Sequence, residues 1–472
     1  MSRRNLFWIL SIASVAVFGL AVSYSAPTRE KDHDYELVRL VVDVLHEVRQ
    51  KYVVDIDPER ERRLVEDMIN GGLERLDPHS QYINPREYKA FDKQSEGKFG
   101  GIGIHVGYDR NNGGRLTVIS PMLGTPAYEA GILAGDTIVK IDGKPTDAMR
   151  TNEAVDSIQG KPGSSVTLTI LREGFAEPRD YRVERAVIKV PTVQGDIRRA
   201  DDGKQWEWFV DKPNDIAYIR ISTFGKNTAA ELREVVLQLE KDGARGLILD
   251  LRNNPGGLLK AAVEVSDLFL SAGMIVSTKG RNYKDESYHA KAEGTLMSEP
   301  GKEIPIAVLV NRFSASASEI VSAALQDNKR AVIIGERTYG KGSVQNIILM
   351  ENDSSALKLT TASYWRPSGK NIHRFPDKKD FEAAKITDPD EWGVRPDTGL
   401  EVKLTDEERL DYLVWRNERD VIRVKPPSGV DAAPTPQHDQ KGKKPFEDRV
   451  MKTAVEHLRK EVAKAGPAKR GA

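Results

Sequence analysis

From Ile216 onward the chain alternates short apolar runs with segments of helical period, and this rhythm narrows the fold more than any other feature. The runs Ile216–Ile221, Leu247–Leu251, Met274–Ser277, Ile306–Val310 and Ala331–Ile334 read as strands. Between them, a helix starting at Thr228 carries Leu232, Val235, Val236 and Leu239 on one face and stops at Gly243, and another covers Ala261 to Phe269. Apolar strands separated by amphipathic helices predict an α/β core around a buried sheet. The strand-like runs Val344–Leu349 and Leu357–Ala362 are expected to extend that sheet.

At 472 residues the chain exceeds the ~100–200 typical of one domain, so further cored units are expected before the core. Tyr35–Gln50 and Glu61–Leu76 have apolar residues at helical spacing and predict two amphipathic helices. They lead into the turn Leu76-Asp77-Pro78-His79-Ser80, where Pro78 disfavours further helix and His79 reads as a turn or packing residue. Phe99 to about Arg185 is strand-rich and carries ordered landmarks. These are Phe99-Gly100-Gly101-Ile102-Gly103-Ile104, Gly124-Thr125-Pro126-Ala127, Gly135-Asp136-Thr137 and Asp142-Gly143, followed by Asn152–Ile158 and Val166–Leu171. In that order they resemble a PDZ domain. The resemblance implies that the loop Gly100, Gly101, Ile102 and Gly103 presents backbone N–H groups to a peptide C-terminal carboxylate.

Composition removes several classes of function. Lys plus Arg and Asp plus Glu both number 71, and no basic stripe suggests a nucleic-acid partner. Cysteine is absent, which excludes thiol catalysis and Cys-ligated zinc, and the eight histidines are scattered without metal-ligand spacing, so neither metal nor cofactor is expected. Arg3 and Arg4 precede the apolar run Phe7–Val22 and the small residues Ser23, Ser25 and Ala26. This is an export signal or a membrane anchor, with cleavage and retention both open, and it predicts a periplasmic or membrane-anchored protein. The Pro-, Lys- and Asp-rich stretch Lys425–Lys444 reads as a linker and Phe446–Lys464 as a charged amphipathic helix.

The chemistry lies in Asn311-Arg312-Phe313-Ser314-Ala315-Ser316-Ala317-Ser318-Glu319 and, downstream, Thr338-Tyr339-Gly340-Lys341-Gly342-Ser343-Val344-Gln345. A serine hydroxyl needs a neighbouring base, and a lysine held neutral by burial can serve, so the pair suggests a serine–lysine dyad without histidine. A nucleophile where a strand meets a helix gains the helix dipole and a free N–H for an oxyanion. Taken locally, any of Ser314, Ser316 and Ser318 fits, and each is equally a helix cap. Gln345 could orient Lys341. Asp250-Leu251-Arg252-Asn253-Asn254-Pro255-Gly256-Gly257 closes a strand with a turn that can expose further N–H groups, while Asp250 and Arg252 could pair to hold it.

Together with Leu76–Ser80 and the PDZ-like module, these motifs resemble the carboxyl-terminal processing peptidases, or tail-specific proteases, of the S41 serine peptidase family. Thr360-Thr361-Ala362-Ser363-Tyr364, followed by Pro367-Ser368-Gly369 and Ile372, is similar to the family's strand after the lysine, although Trp365 and Arg366 depart from it. The likeness spans roughly Tyr35 to Leu404. It implies Ser316 as nucleophile, Lys341 as general base, Gln345 as its orienting partner, and the N–H groups of Gly257 and Ala317 as oxyanion donors. It also implies a crotonase-like (ClpP/crotonase-type) α/β protease core with an inserted PDZ domain and an N-terminal helical segment. The division expected is a signal or anchor over 1–26, helices over 33–96, PDZ over 97–186, peptidase core over 187–405, and linker plus helix over 406–472. The expected substrates are proteins with accessible C-termini, and homo-oligomerisation through the N-terminal helices is open. A catalytically silent PDZ scaffold is the alternative, and an acyl-CoA enzyme on a related core is poorer because a PDZ module gives no reason for a nucleotide ligand.

Overall fold

The computed structural model describes residues 28–95, 98–109, 114–172, 174–199, 205–297, 303–375, 390–421 and 446–465. The apolar run Phe7–Val22 and the stretch Lys425–Lys444 lie outside them. Among the described residues no helix is long and apolar enough to cross a membrane.

Two compact units divide at Leu76. The first holds the helices Thr28–Lys51 and Pro58–Glu74. The second starts where it does because Asp57 caps it, accepting from Arg60 N at 2.8 Å, and Pro58 takes the first turn, where no N–H is needed.

In the second unit the predicted α/β core is present. Ile216–Ile221, Gly246–Asp250, Ile306–Val310 and Ala331–Gly335 are parallel and adjacent in that order, with Val193–Gln194 and Phe209–Asp211 antiparallel along Ile216–Ile221. Helices Thr228–Lys241, Leu259–Asp267 and Ala317–Asp327 cover one face, where Leu232, Val236, Val265, Ile320 and Val321 meet Leu247, Leu249 and Val308. The other face carries Tyr218, Ile248, Ala307, Leu309 and Ile334. It is closed by Val450, Ala454 and Leu458 of the helix Arg449–Lys464. Burial on both faces is why these strands are continuously apolar.

One expectation fails. Ser343–Met350 and Ser355–Trp365 do not extend the parallel sheet, and neither does Met274–Gly280. They belong to a separate antiparallel sheet with Gln81–Ile83 and Tyr283–His289. Their composition explains this, because Ser355–Trp365 mixes Lys358, Thr360 and Ser363 with apolar residues and is mostly half-buried, as suits a sheet covered on one side.

The module before the core is a six-stranded antiparallel sheet that includes Ile104–Asp109, Arg115–Pro121, Thr137–Ile141, Ser165–Leu171 and Arg179–Glu184, with the helix Thr151–Ile158 packed on it. Lys98–Gly101 pairs with Ala186–Lys189, so the two ends of the module leave side by side, the geometry an inserted domain requires.

Candidate active site

Strand Ile306–Val310 ends, and six residues after Val310, at Ser316, the chain turns sharply into the helix Ala317–Asp327. Ser316 forms the turn at φ 54° and ψ −112°, a conformation that costs a non-glycine residue on the order of 1–3 kcal/mol. Neighbouring hydrogen bonds hold it there. Ala315 N donates to Asn254 O at 3.1 Å, Ile320 N to Ser316 O at 3.0 Å, and Ser316 N to Glu319 Oε2 at 2.8 Å. The three serines left open by the sequence differ in their partners. Ser314 Oγ donates to Leu251 O at 2.8 Å and accepts from Asn311 N at 2.9 Å, and Ser318 Oγ donates to Asn254 O at 3.0 Å. Both are wholly buried. Ser316 Oγ donates to no protein acceptor among the described residues, and its side chain retains a small solvent-facing area.

The loop Asp250–Gly257 lies against this turn. A Cβ on Gly256 would fall 2.8 Å from Ser316 Cβ and 2.9 Å from Ala317 N, so only glycine permits the approach. Gly256 N is taken by Asn254 Oδ1 at 2.9 Å, and Gly256 O accepts from Phe224 N at 3.0 Å and Thr223 Oγ1 at 2.9 Å. The N–H groups of Gly257 and Ala317 have no acceptor among the described residues. Behind the loop, the buried Arg252 meets Asp250 at 2.6 Å and Asp448, at the start of the C-terminal helix, at 2.9 Å, and lies 4.4 Å above the Tyr412 ring. Tyr218 Oη donates to Asp250 at 2.8 Å. Burial alone would raise the Asp250 carboxyl, but the Arg252 charge and these hydrogen bonds hold it below the ordinary carboxylate value.

Glu319 joins the serine segment to the lysine segment. Its Oε2 accepts from the backbone N–H groups of both Ser316 and Lys341 at 2.8 Å, and its Oε1 from Gly340 N at 2.7 Å and Thr338 Oγ1 at 2.6 Å. Complete burial pushes this carboxyl up to about 7 against the pull of those four hydrogen bonds. The Lys341 amine is lowered by burial first and by Lys358 second, while Glu319 and Asp77 oppose the change.

The side chains expected to form the catalytic set are not hydrogen-bonded to one another. Lys341 Nζ makes no bond with Ser316 Oγ or Gln345, and Gln345 Nε2 donates instead to Ser343 Oγ at 2.8 Å and Thr360 Oγ1 at 3.2 Å. Thr360 Oγ1 in turn donates to Asp77 at 3.1 Å. Asp77 also accepts from His79 N at 2.7 Å and Ser80 Oγ at 2.6 Å, so it fixes its own turn and ties it to the strand beside Gln345. The His79 imidazole is lowered by burial and then by the nearby Lys341 charge.

In the inserted module, the C=O groups of Ile102 and Gly103 accept from Ala127 N at 2.9 Å and Met122 N at 2.8 Å. Gly103 has φ 79°. A shallow apolar groove of about 40 Å³ runs from this loop between Ile104, Val106, Val155 and Ile158, with Phe99 at its edge. A larger cavity of about 330 Å³ lies at the far end of the helix Ala317–Asp327, beside Arg366 and Trp392, away from Ser316. Among the described residues no cluster of His, Asp or Glu could hold a metal ion.

Glu319 and Asp448 were not singled out from the sequence. Glu319 follows Ser316 at the spacing of a capping box, which is a usable signal. Asp448 had none beyond its place before a helix.

Residues 215–382 match peptidase family S41 and residues 117–172 match the PDZ domain. The chain is 39% identical over 376 residues to the carboxy-terminal-processing protease of Bartonella bacilliformis, covering 79% of this chain and 80% of that protein. It is 35% identical to the carboxy-terminal processing protease CtpA of Bacillus subtilis, covering 77% and 75%. Among solved structures it is similar to a photosystem II D1 C-terminal processing protease, at 29% identity and a TM-score of 0.41 over 76% of this chain and 86% of that one.

Proposed function

The chain belongs to peptidase family S41 and is a serine-type peptidase of the carboxy-terminal-processing kind with a PDZ domain, and from that premise we propose that it uses Ser316 and Lys341 to cut exported protein substrates engaged near their C-termini. One observation carries the reading. Ser316 is strained and donates to no acceptor among the described residues, the N–H groups of Ala317 and of Gly257 in the adjoining loop have none either, and Glu319 ties the Ser316 backbone to that of a desolvated lysine.

In this mechanism neutral Lys341 takes the Ser316 proton as Oγ attacks the scissile carbonyl. The N–H groups of Gly257 and Ala317 stabilise the oxyanion. The lysine then gives its proton to the leaving amine, and water, deprotonated by the same lysine, releases the acyl group. Glu319 holds the backbones of both segments, and in this reading the Lys341 side chain turns toward Ser316 while Gln345 leaves Thr360 to orient the amine. Catalytic hydrogen bonds commonly tighten only once substrate is bound. The parallel sheet with its elbow serine supports the crotonase-like description of the core.

The groove beside Gly100, Gly101, Ile102 and Gly103 supports capture of a C-terminus, and Arg3, Arg4 and Phe7–Val22 support export with the protein periplasmic or membrane-anchored. The test is digestion of an unfolded protein such as β-casein by the wild type and by Ser316→Ala. Loss of cleavage in a folded variant is expected. Equal cleavage by both, with contaminating protease excluded, removes the nucleophile assignment, and no cleavage by either leaves a silent scaffold. Substrates ending in a free carboxylate should also bind the PDZ domain more tightly than their amides.

A further inference from the structure

Strand Ser343–Met350 begins two residues after Lys341 and, among the described residues, pairs on one side only, with Ser355–Trp365. Which of its backbone groups face outward follows from the neighbouring strand. Thr360 N donates to Ser80 Oγ at 3.0 Å, on the side of Gln81–Ile83, and strand alternation gives Lys358 and Ala356 the same direction, so these three residues turn their main chain away from Ser343–Met350. Their partners across the ladder are Leu349, Ile347 and Gln345. Antiparallel alternation therefore points the N–H and C=O groups of those three residues away from the sheet. None of the three N–H groups has an acceptor among the described residues.

Natural edge strands are protected by charge, proline or brevity. This one has eight residues and reads Ser-Val-Gln-Asn-Ile-Ile-Leu-Met, without a charge, and Ile347, Ile348, Leu349 and Met350 are 37–48% exposed. An apolar edge left open in a folded protein marks a docking surface.

Resting on the peptidase reading above, we infer that this outer edge is a rail for the substrate. An extended, unfolded polypeptide with apolar side chains adds to it as a strand and is led to Ser316. The occupant is substrate rather than a second copy of the chain because the edge is continuous with the site. Its first outward-facing residue is Gln345, and Lys341 opens the same segment. Backbone pairing would bind any unfolded sequence, and Ile347 and Leu349 on one face, with Ile348 and Met350 on the other, would favour apolar residues at alternate positions.

The first test uses the unaltered protein and a synthetic peptide spanning a site it cuts in β-casein, N-methylated at one amide at a time. The expected result is a loss of about tenfold in kcat/KM at every second amide on one side of the cut, with smaller effects between. A flat scan, or one without a period of two, overturns the rail. The second test replaces Ile347 or Leu349 by proline, which removes an outward N–H while sparing the ladder to Ser355–Trp365. Turnover of β-casein relative to p-nitrophenyl acetate should fall about tenfold. An unchanged ratio overturns the inference, and if sedimentation also shifts toward monomer the edge joins two copies of the chain. Failure of the wild type on both casein and the ester instead marks failure of the peptidase reading, and the peptide scan stands even where a proline variant does not fold.

Discussion

Glu319→Gln separates the electrostatic from the geometric contribution of the carboxylate that joins the serine segment to the lysine segment. The substitution keeps the shape of the side chain. It offers one oxygen where the wild type offers two, so either the pair Ser316 N and Lys341 N or the pair Gly340 N and Thr338 Oγ1 must face an amide NH₂. Thr338 can reverse its hydroxyl, but Gly340 N cannot, so at least one buried donor is stranded at a cost of about 1–3 kcal/mol. Against this stands the charge. The folded-state value of about 7 lies above the ordinary 4.5, so the native protein binds this proton more tightly than the unfolded chain, and stability from this group falls as pH rises from 4.5 through 7. At about 1.4 kcal/mol for each tenfold change in proton affinity, the fall is about 3 kcal/mol. A glutamine has no such slope. Between pH 5 and pH 8 the urea-unfolding free energy of the variant should therefore gain on the wild type by about 3 kcal/mol.

Activity gives an independent reading of the same change. Glu319 raises the Lys341 value, so removing its charge should move the acidic limb of the pH–rate profile to lower pH, while misplacement of either segment lowers kcat by up to about a hundredfold. A limb that stays put or moves upward, together with a stability difference independent of pH, would refute the reasoning.

Lys341→Arg should be as inactive on casein as Lys341→Ala, because a guanidinium does not deprotonate, and a fully active arginine variant would end the dyad assignment. Ser314→Ala should keep most activity yet lose about 1–3 kcal/mol in chemical denaturation, since it strands Asn311 N in the core; an inactive but equally stable protein would contradict its structural role. Arg252→Ala leaves Asp250 buried without its cation and should cost about 3–5 kcal/mol, more than Asp448→Ala, which leaves Arg252 paired with Asp250; the reverse order in urea midpoints would contradict the network.

The parallel strands were legible because a strand buried on both faces must be apolar throughout, and Ile306–Val310 is. The inserted module was legible through glycines at positive φ, such as Gly135 and Gly143, which mark its turns wherever they fall. Sheet membership was not. Val344–Leu349 looks like a strand of the core, and it is the pairing of its hairpin partner Ser355–Trp365 with the distant Gln81–Ile83 and Met274–Gly280 that assigns it elsewhere. The same limit applies at the site. The segments around Ser316 and Lys341 stand out by composition, but local reading could not rank Ser314, Ser316 and Ser318, because their carbonyl partners Leu251 and Asn254 come from another loop. The hydrogen bonds of Gln345 to Ser343 and Thr360 were equally hidden, since a glutamine side chain has many reachable partners and sequence does not choose among them.

The helix Arg449–Lys464 follows every strand of the parallel sheet in chain order, yet it forms one wall of that sheet, and Asp448 at its start grips Arg252 behind the loop Asp250–Gly257. A growing chain thus completes its sheet with Ile248, Leu309 and Ile334 still bare and with Arg252 short of one partner. Loss of this helix would bare one face of the sheet and leave Arg252 to Asp250 alone, so the far end of the sequence and the loop Asp250–Gly257 hold their places together.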